Sequence, residues 1–132
     1  MGESHFETEA RRFVGRVFAA DEAKDVEGFL ALLTEDVVFR LGSQPELRGR
    51  EPVRAVVSGL FAAMASIHHK FVDLWVTGDR LALRAEATMT PHGGEAVTLP
   101  YMNALRLSER GQAAEYRIHI DLSPALGARS RQ

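Results

Sequence analysis

The chain has 132 residues, of which 45% are hydrophobic and 26% charged, with a formal net charge of −2 and no cysteine. That length fits one domain, which buries roughly two thirds of the surface its unfolded chain exposes, and leaves no room for two. The missing cysteine excludes disulfides, thiolate metal sites and cysteine nucleophiles, and the nearly balanced charge lacks the basic footprint of a nucleic-acid binder. The apolar runs fall far short of a bilayer span. The start, Met1-Gly2-Glu3-Ser4-His5-Phe6-Glu7, is acidic and has no signal-type apolar core. The expectation is a soluble cytoplasmic protein that engages neither membrane nor nucleic acid. It has one domain over 1–124 and a short polar tail over 125–132, too short to form an element.

The first predicted helix opens at Ser4, which with Glu7 has capping-box spacing. Phe6, Ala10, Phe13, Val14, Val17 and Phe18 then form one apolar stripe. Asp25 caps a short second helix whose stripe is Val26, Phe29, Leu30 and Leu33. A strand over 36–41 is closed by Gly42-Ser43. The third helix begins at Glu51-Pro52, where the missing proline N–H costs nothing, and Val53, Val56, Val57, Leu60, Phe61 and Met64 make its buried face. Strands over 67–76, 80–90, 96–107 and 112–122 follow. Thr77-Gly78-Asp79, Pro91-His92-Gly93-Gly94 and Ser108-Glu109-Arg110-Gly111 join them into an antiparallel meander. Helices first and strands afterwards predict an α+β fold rather than a doubly wound sheet.

Side chains alternate between the faces of a strand. Glu115, Arg117, His119 and Asp121 therefore share one face, with Tyr116, Ile118, Ile120 and Leu122 opposite. Likewise Arg84, Glu86, Thr88 and Thr90 oppose Leu81, Leu83, Ala85, Ala87 and Met89. Two readings follow: a solvated outer face, or a polar pocket lined by Arg84, Glu86, Arg117, His119 and Asp121. His68 and His69 point to opposite faces and cannot chelate one ion; one of the two is expected to face a pocket, the sequence leaves open which, and His69 is carried among the candidate contacts. Tyr101 and Asn103 share a face and offer a ligand a hydroxyl and an amide, unless Tyr101 is simply half-buried at a rim. The sequence lacks His-x-x-x-His, Gly-x-Ser-x-Gly and phosphate-binding glycine motifs, so neither metal nor cofactor is expected. Trp75 fits either core or a dimer interface.

Four segments carry a resemblance: Leu32-Leu33-Thr34-Glu35-Asp36-Val37-Val38-Phe39, Leu47-Arg48-Gly49-Arg50-Glu51-Pro52-Val53, Trp75-Val76-Thr77-Gly78-Asp79-Arg80-Leu81, and Arg110-Gly111 followed by Glu115-Tyr116-Arg117-Ile118-His119-Ile120-Asp121. With the order of elements, they make the chain similar to the nuclear transport factor 2-like (NTF2-like) superfamily, and within it to the SnoaL-like branch, over about residues 6 to 124. The resemblance implies a cone-shaped α+β barrel in which three N-terminal helices pack on a strongly curved, mainly antiparallel sheet. It also implies homodimers paired through the sheet. The SnoaL-like polyketide cyclases carry an aromatic or His, one residue, then an acid/base Asp at the end of the last strand, which His119-Ile120-Asp121 matches. The epoxide-hydrolase relatives carry Arg-x-Asp on an inner strand with a further Asp on the last strand. Arg84-Ala85-Glu86 with Asp121 is similar, but Glu moves the carboxylate outward by a methylene. The steroid-isomerase relatives place their base where this chain has Leu41, so that chemistry is not expected.

On the resemblance, Asp121 is the expected acid or base, with His119 beside it, Glu86 as second carboxylate, and Arg84 to hold an oxyanion or fix the carboxylates. Arg117, Tyr101, Asn103 and His69 are the expected substrate contacts. The reading is a cofactor-independent cyclase, isomerase, dehydratase or hydrolase acting on a small hydrophobic polyketide- or terpenoid-like molecule. A non-catalytic binding module and a dimerisation or docking domain stand beside it, because fold alone does not decide function.

Overall fold

A computed structural model describes residues 2–127, with side chains from 5 to 126. Helix α1 spans Gly2–Ala23. It starts before Ser4, whose cap lies outside the described side chains. Its stripe buries Ala10, Phe13, Val14 and Val17, while Phe6, at the head of the stripe, stays exposed. Helix α2, Val26–Leu30, is capped as its sequence predicts: the Asp25 carboxylate accepts the Gly28 N–H at 2.9 Å. Helix α3, Arg50–Ala63, buries Val53, Val57 and Phe61. Met64, expected on that helical face, instead adopts extended backbone as the first residue of the next strand, and is fully buried there.

Six strands form one mixed sheet: β1 (Leu33–Leu41), β2 (Leu47–Arg48), β3 (Met64–Thr77), β4 (Arg80–Pro91), β5 (Val97–Leu107) and β6 (Ala113–His119), in the order β2-β1-β6-β5-β4-β3. Strands β3 to β6 are the expected antiparallel meander. The join between β1 and β6 is parallel, with Phe39 opposite Tyr116. The two-residue β2 was not foreseen; it pairs with β1 at the edge. Register shifts at Met64/Ser66 and Phe71/Asp73 in β3, and at Ala114 in β6 opposite Arg106 and Leu107, bend the strands locally. The sheet is curved and open, not a closed barrel. Its inner face packs on the helices around Phe29, Phe39, Phe61 and Tyr116, whose rings meet edge-on or stacked at 5.7–6.4 Å. After β6 the chain makes a π-helical turn, Ser123–Gly127, that buries Ala125. The tail after Pro124 thus contributes to the core, contrary to the sequence reading. Residues 128–132 lie outside the described residues.

The turn after β1 requires glycine twice over. Gly42 has φ +59°, and a Cβ there would sit 2.9 Å from the backbone oxygen of Ile120. Gly78, in the β3–β4 hairpin, also has positive φ but open space around it. Gly42→Ala should therefore destabilise by about 2 kcal/mol or more, and Gly78→Ala by only about 1 kcal/mol. Urea unfolding of the two variants checks the order.

Candidate functional site

A cavity opens between the inner sheet face and the helices. Its volume is ≈ 60 Å³, and its wall is mostly apolar, including Phe29, Phe39, Phe61, Ile118 and Ile120. That is room for a handful of waters or a small apolar group, so a ring-sized or larger ligand enters only as side chains of the wall move outward. The polar side chains in this wall include Asp21, His69, Tyr101 and Asn103.

Three of these are joined in a chain. Asp21 Oδ2 lies 2.9 Å from His69 Nε2, and His69 Nδ1 lies 2.7 Å from the Tyr101 hydroxyl. The His69 side chain is 9% exposed and that of Asp21 16%. Several local features place them. Phe18, one turn before Asp21 on α1, stacks on the His69 ring at 4.6 Å and 8°. The next residue, Glu22, accepts the His69 backbone N–H at 2.9 Å, so the helix satisfies a donor of edge strand β3. Helix α1 then ends at Lys24, whose φ of 52° is unusual outside glycine. Its ammonium donates to the Met64 carbonyl at 2.7 Å, fixing the helix end to the start of β3. Across the sheet, Ala85 and Ala87 on β4 lie between β3 and β5. Both are buried and small, leaving the Tyr101 phenol free to span β4 and reach His69.

Burial pushes the Asp21 carboxyl above its ordinary 3.8, against the opposing pull of the His69 hydrogen bond and charge. Burial, with the nearby Asp21 charge, also raises Tyr101 well above the usual phenol range, so the phenol stays protonated and donates. With Asp21 ionised, His69 Nε2–H donates to the carboxylate and Nδ1 accepts the Tyr101 proton. The arrangement is a proton relay from a phenol at the cavity wall to a buried carboxylate. Asn103 stands two residues from Tyr101 on the same face of β5; it is 4% exposed, and its Oδ1 has no hydrogen-bond partner. Among the described residues, no three His, Asp or Glu side chains gather as a metal site.

Of the residues singled out in sequence, His69, Tyr101 and Asn103 line this cavity. The others do not. Arg84 is exposed and pairs with Asp73 at 2.8 Å, and Glu86 stands opposite Lys70 and Pro100 on the same outer face. Arg117 holds Glu46 and Glu115, each at 2.9 Å. His119 is exposed at the end of β6, opposite Met102. Asp121 is exposed beyond β6 and accepts the Ser123 N–H at 3.0 Å. The expected common pocket of Asp121, His119, Glu86 and Arg84 is therefore not formed. Alternation along each strand was read correctly, but the polar set took the convex side. The apolar set opposite is what packs on the helices, and charged groups in a closed core carry a heavy desolvation penalty. On the outer side they neutralise one another: Arg106 and Arg117 hold Glu115 down to about 2.

Asp21 was missed. A signal was present: it follows Val17 by four residues and Phe18 by three, which puts an acid on the apolar stripe of the first helix. His69 separates from His68 as expected, with His68 exposed on the opposite face.

The family model of the SnoaL-like domain matches residues 11–116. The chain belongs to that family. Three solved structures share the fold across nearly the whole SnoaL-like chain. One is a protein of Jannaschia sp. CCS1 described as a SnoaL-like polyketide cyclase, with 22% identity, TM-score 0.77, and coverage of 95% of this chain and 94% of that one. Another is an epoxide hydrolase of Mycobacterium tuberculosis, with 17% identity, TM-score 0.74 and coverage of 94% and 91%. A third, from Catenulispora acidiphila DSM 44928, has a ketosteroid isomerase-like fold and was solved with trimethylamine; identity is 17%, TM-score 0.77 and coverage 87% and 89%. No curated protein matches in sequence. At these identities the likeness establishes the fold. No helix among the described residues is long and apolar enough to cross a membrane.

Because the native carboxyl of Asp21 is raised, the folded state binds its proton more tightly than the unfolded chain does. Stability from this group is therefore lost as pH rises from the ordinary aspartate value through the raised one. Asp21→Asn removes that loss. Its melting temperature relative to wild type should rise as the pH is raised above about 4, as followed by thermal unfolding at each pH.

Proposed function

We propose that this SnoaL-like protein is a cofactor-independent acid/base enzyme acting on a small apolar molecule of polyketide or terpenoid type. The observation that carries this reading is the Asp21–His69–Tyr101 relay in the wall of an apolar cavity. The phenol oxygen takes a proton from the substrate as its own proton moves to His69 Nδ1, and the Asp21 carboxylate stabilises the imidazolium. Run backwards, the relay delivers a proton to carbon or oxygen. The cyclase and epoxide-hydrolase descriptions of its structural relatives are consistent with such chemistry on this fold. Asp121, His119, Glu86 and Arg84 have no part in it.

A second reading, a non-catalytic carrier, has one observation in its favour: both ring nitrogens of His69 are already engaged by protein groups. The readings separate on turnover. Purified protein would be offered epoxides, β-hydroxyketones and enones on apolar skeletons, with products followed by mass spectrometry. Turnover that drops about 100-fold or more in Asp21→Asn and His69→Gln supports the enzyme. Turnover indifferent to both changes removes the relay from the mechanism, and binding without turnover across the panel favours the carrier.

The outer sheet face supports a homodimer. Trp75 and Met102 are exposed there, 49% and 41%, and Trp75 heads a row that runs through the small Ala82 and Ala104 to Arg117. A flat row beside a large aromatic ring suits a second copy of the same face. Light scattering should give a dimer mass for wild type and a monomer for Trp75→Glu. A monomeric wild type at high micromolar concentration rules this interface out.

A further inference from the structure

Among the described residues, Asn103 is buried, 4% exposed, in a mostly hydrophobic core. Its Oδ1 is shut off from solvent and accepts no hydrogen bond. An orphaned acceptor of this kind is a liability in a core, and an apolar residue of similar size would avoid it. Nothing in the folding of the sheet requires an amide here: the facing positions on the neighbouring strands are Leu83 and Ile118, both apolar. The amide does, however, line the same cavity as the relay, and it stands on the same face of β5 as Tyr101, one pleat away.

The nearest members of the relay do not satisfy it. Tyr101 donates its proton to His69, and His69 donates to Asp21. The cavity therefore contains a buried acceptor to which neither the relay nor Tyr116, the other phenol of the wall, donates, and the rest of the wall is mostly apolar. What completes it is a donor brought by the ligand. We propose that Asn103 Oδ1 reads a hydroxyl on an otherwise apolar ligand, so that the molecule this cavity takes is an alcohol, enol or phenol rather than a ketone, ether or hydrocarbon. This rests on the reading of the cavity as a small-molecule site, and it adds the ligand's polar group. A ligand hydroxyl on Asn103 lies beside the Tyr101 phenol, with its carbon skeleton against the aromatic wall. Sites built around a buried polar group discriminate strongly, because a ligand lacking the matching group leaves that group unpaired.

The test uses phenol and toluene, which differ by a hydroxyl for a methyl, with anisole as an oxygen ligand that has no proton. Affinities for the intact protein are measured by calorimetry or ligand-observed NMR in wild type and in Asn103→Leu, whose folding is checked by circular dichroism. Toluene partitions better into any apolar space, so the quantity read is the phenol-to-toluene affinity ratio. That ratio should fall at least fivefold from wild type to Asn103→Leu, while the anisole-to-toluene ratio should not change. Asn103→Leu should also melt higher than wild type in the absence of ligand, since the orphaned acceptor is gone. Asn103→Ala, should the leucine variant not fold, must show the same fall in the ratio. A smaller fall overturns the proposal, and so does a fall in the anisole ratio instead, which would mean that the amide offers its N–H₂. If none of the three binds wild type, the cavity is not a ligand site and the proposed function fails with it. Loss of discrimination with intact binding overturns only the role of Asn103.

Discussion

The end of α1 is clamped onto the first half of β3, and that clamp fixes one wall of the cavity. Within a few residues the helix supplies a stacking ring from Phe18, a carboxylate to the His69 ring from Asp21, a second carboxylate to the His69 backbone from Glu22, and an ammonium to two β3 carbonyls from Lys24. Hydrogen bonds that involve a charged group are worth about 1.5–3 kcal/mol each, more than neutral ones. The apolar stripe of α1 supplies most of the adhesion, as for any amphipathic helix. But hydrophobic contact is non-directional and leaves the helix free to slide or roll. The polar contacts set where along β3 the helix stops. They also close part of an exposed sheet edge. The relay residues and the locating residues are thus interleaved: Phe18, Asp21 and Glu22 all converge on one histidine.

A consequence is that stability and site chemistry are in tension at the same atoms. Asp21 is held in a place that disfavours its charge, and Asn103 has an acceptor with nothing to accept. Both are features that a sequence selected for stability alone would lose, and such violations concentrate at functional sites. The alanines of β4 belong to the same trade. Ala85 and Ala87 bury little apolar area in the middle of the sheet, yet their size is what lets a phenol on β5 meet an imidazole on β3. Larger residues would pack the core better and separate the two rings.

Most of the architecture was legible because it rests on local rules. Helix periodicity, the Asp25 cap, the glycine-bearing turns and strand alternation each act over a few residues. What was not legible depended on which face of a strand turns inward. The charged row of Arg84 and Glu86, and that of Arg117 and His119, were internally consistent as a pocket lining. Alternation says only that they share a side. The side was decided by the apolar rows opposite, through contact with helices far away in sequence. The parallel pairing of β1 with β6 was hidden for the same reason, since no turn signal links them. The resemblance to SnoaL-like proteins led to the fold and, through His119-Ile120-Asp121, to residues that do not line the cavity. Asp21 was overlooked as one more polar residue on a helix, although its place on the apolar stripe marked it as buried.

That parallel pairing also bears on how the molecule is made. Leu33 lies beside Ala113 and Leu41 beside Ile118, so β1 gains its central neighbour only when almost the whole chain exists. During synthesis the helices, β1 and β2 emerge first, then the meander grows from β3 onward, and β6 arrives last to join the two parts. Until then β1 presents an unpaired apolar edge next to Phe39, and the floor of the cavity lacks Tyr116 and Ile118. Such non-local closure is slow relative to helix and hairpin formation, and open edges of this kind recruit other chains. A nascent chain stopped before about residue 113 would have its relay residues already made, Asp21, His69 and Tyr101 among them, but no complete wall to hold them in.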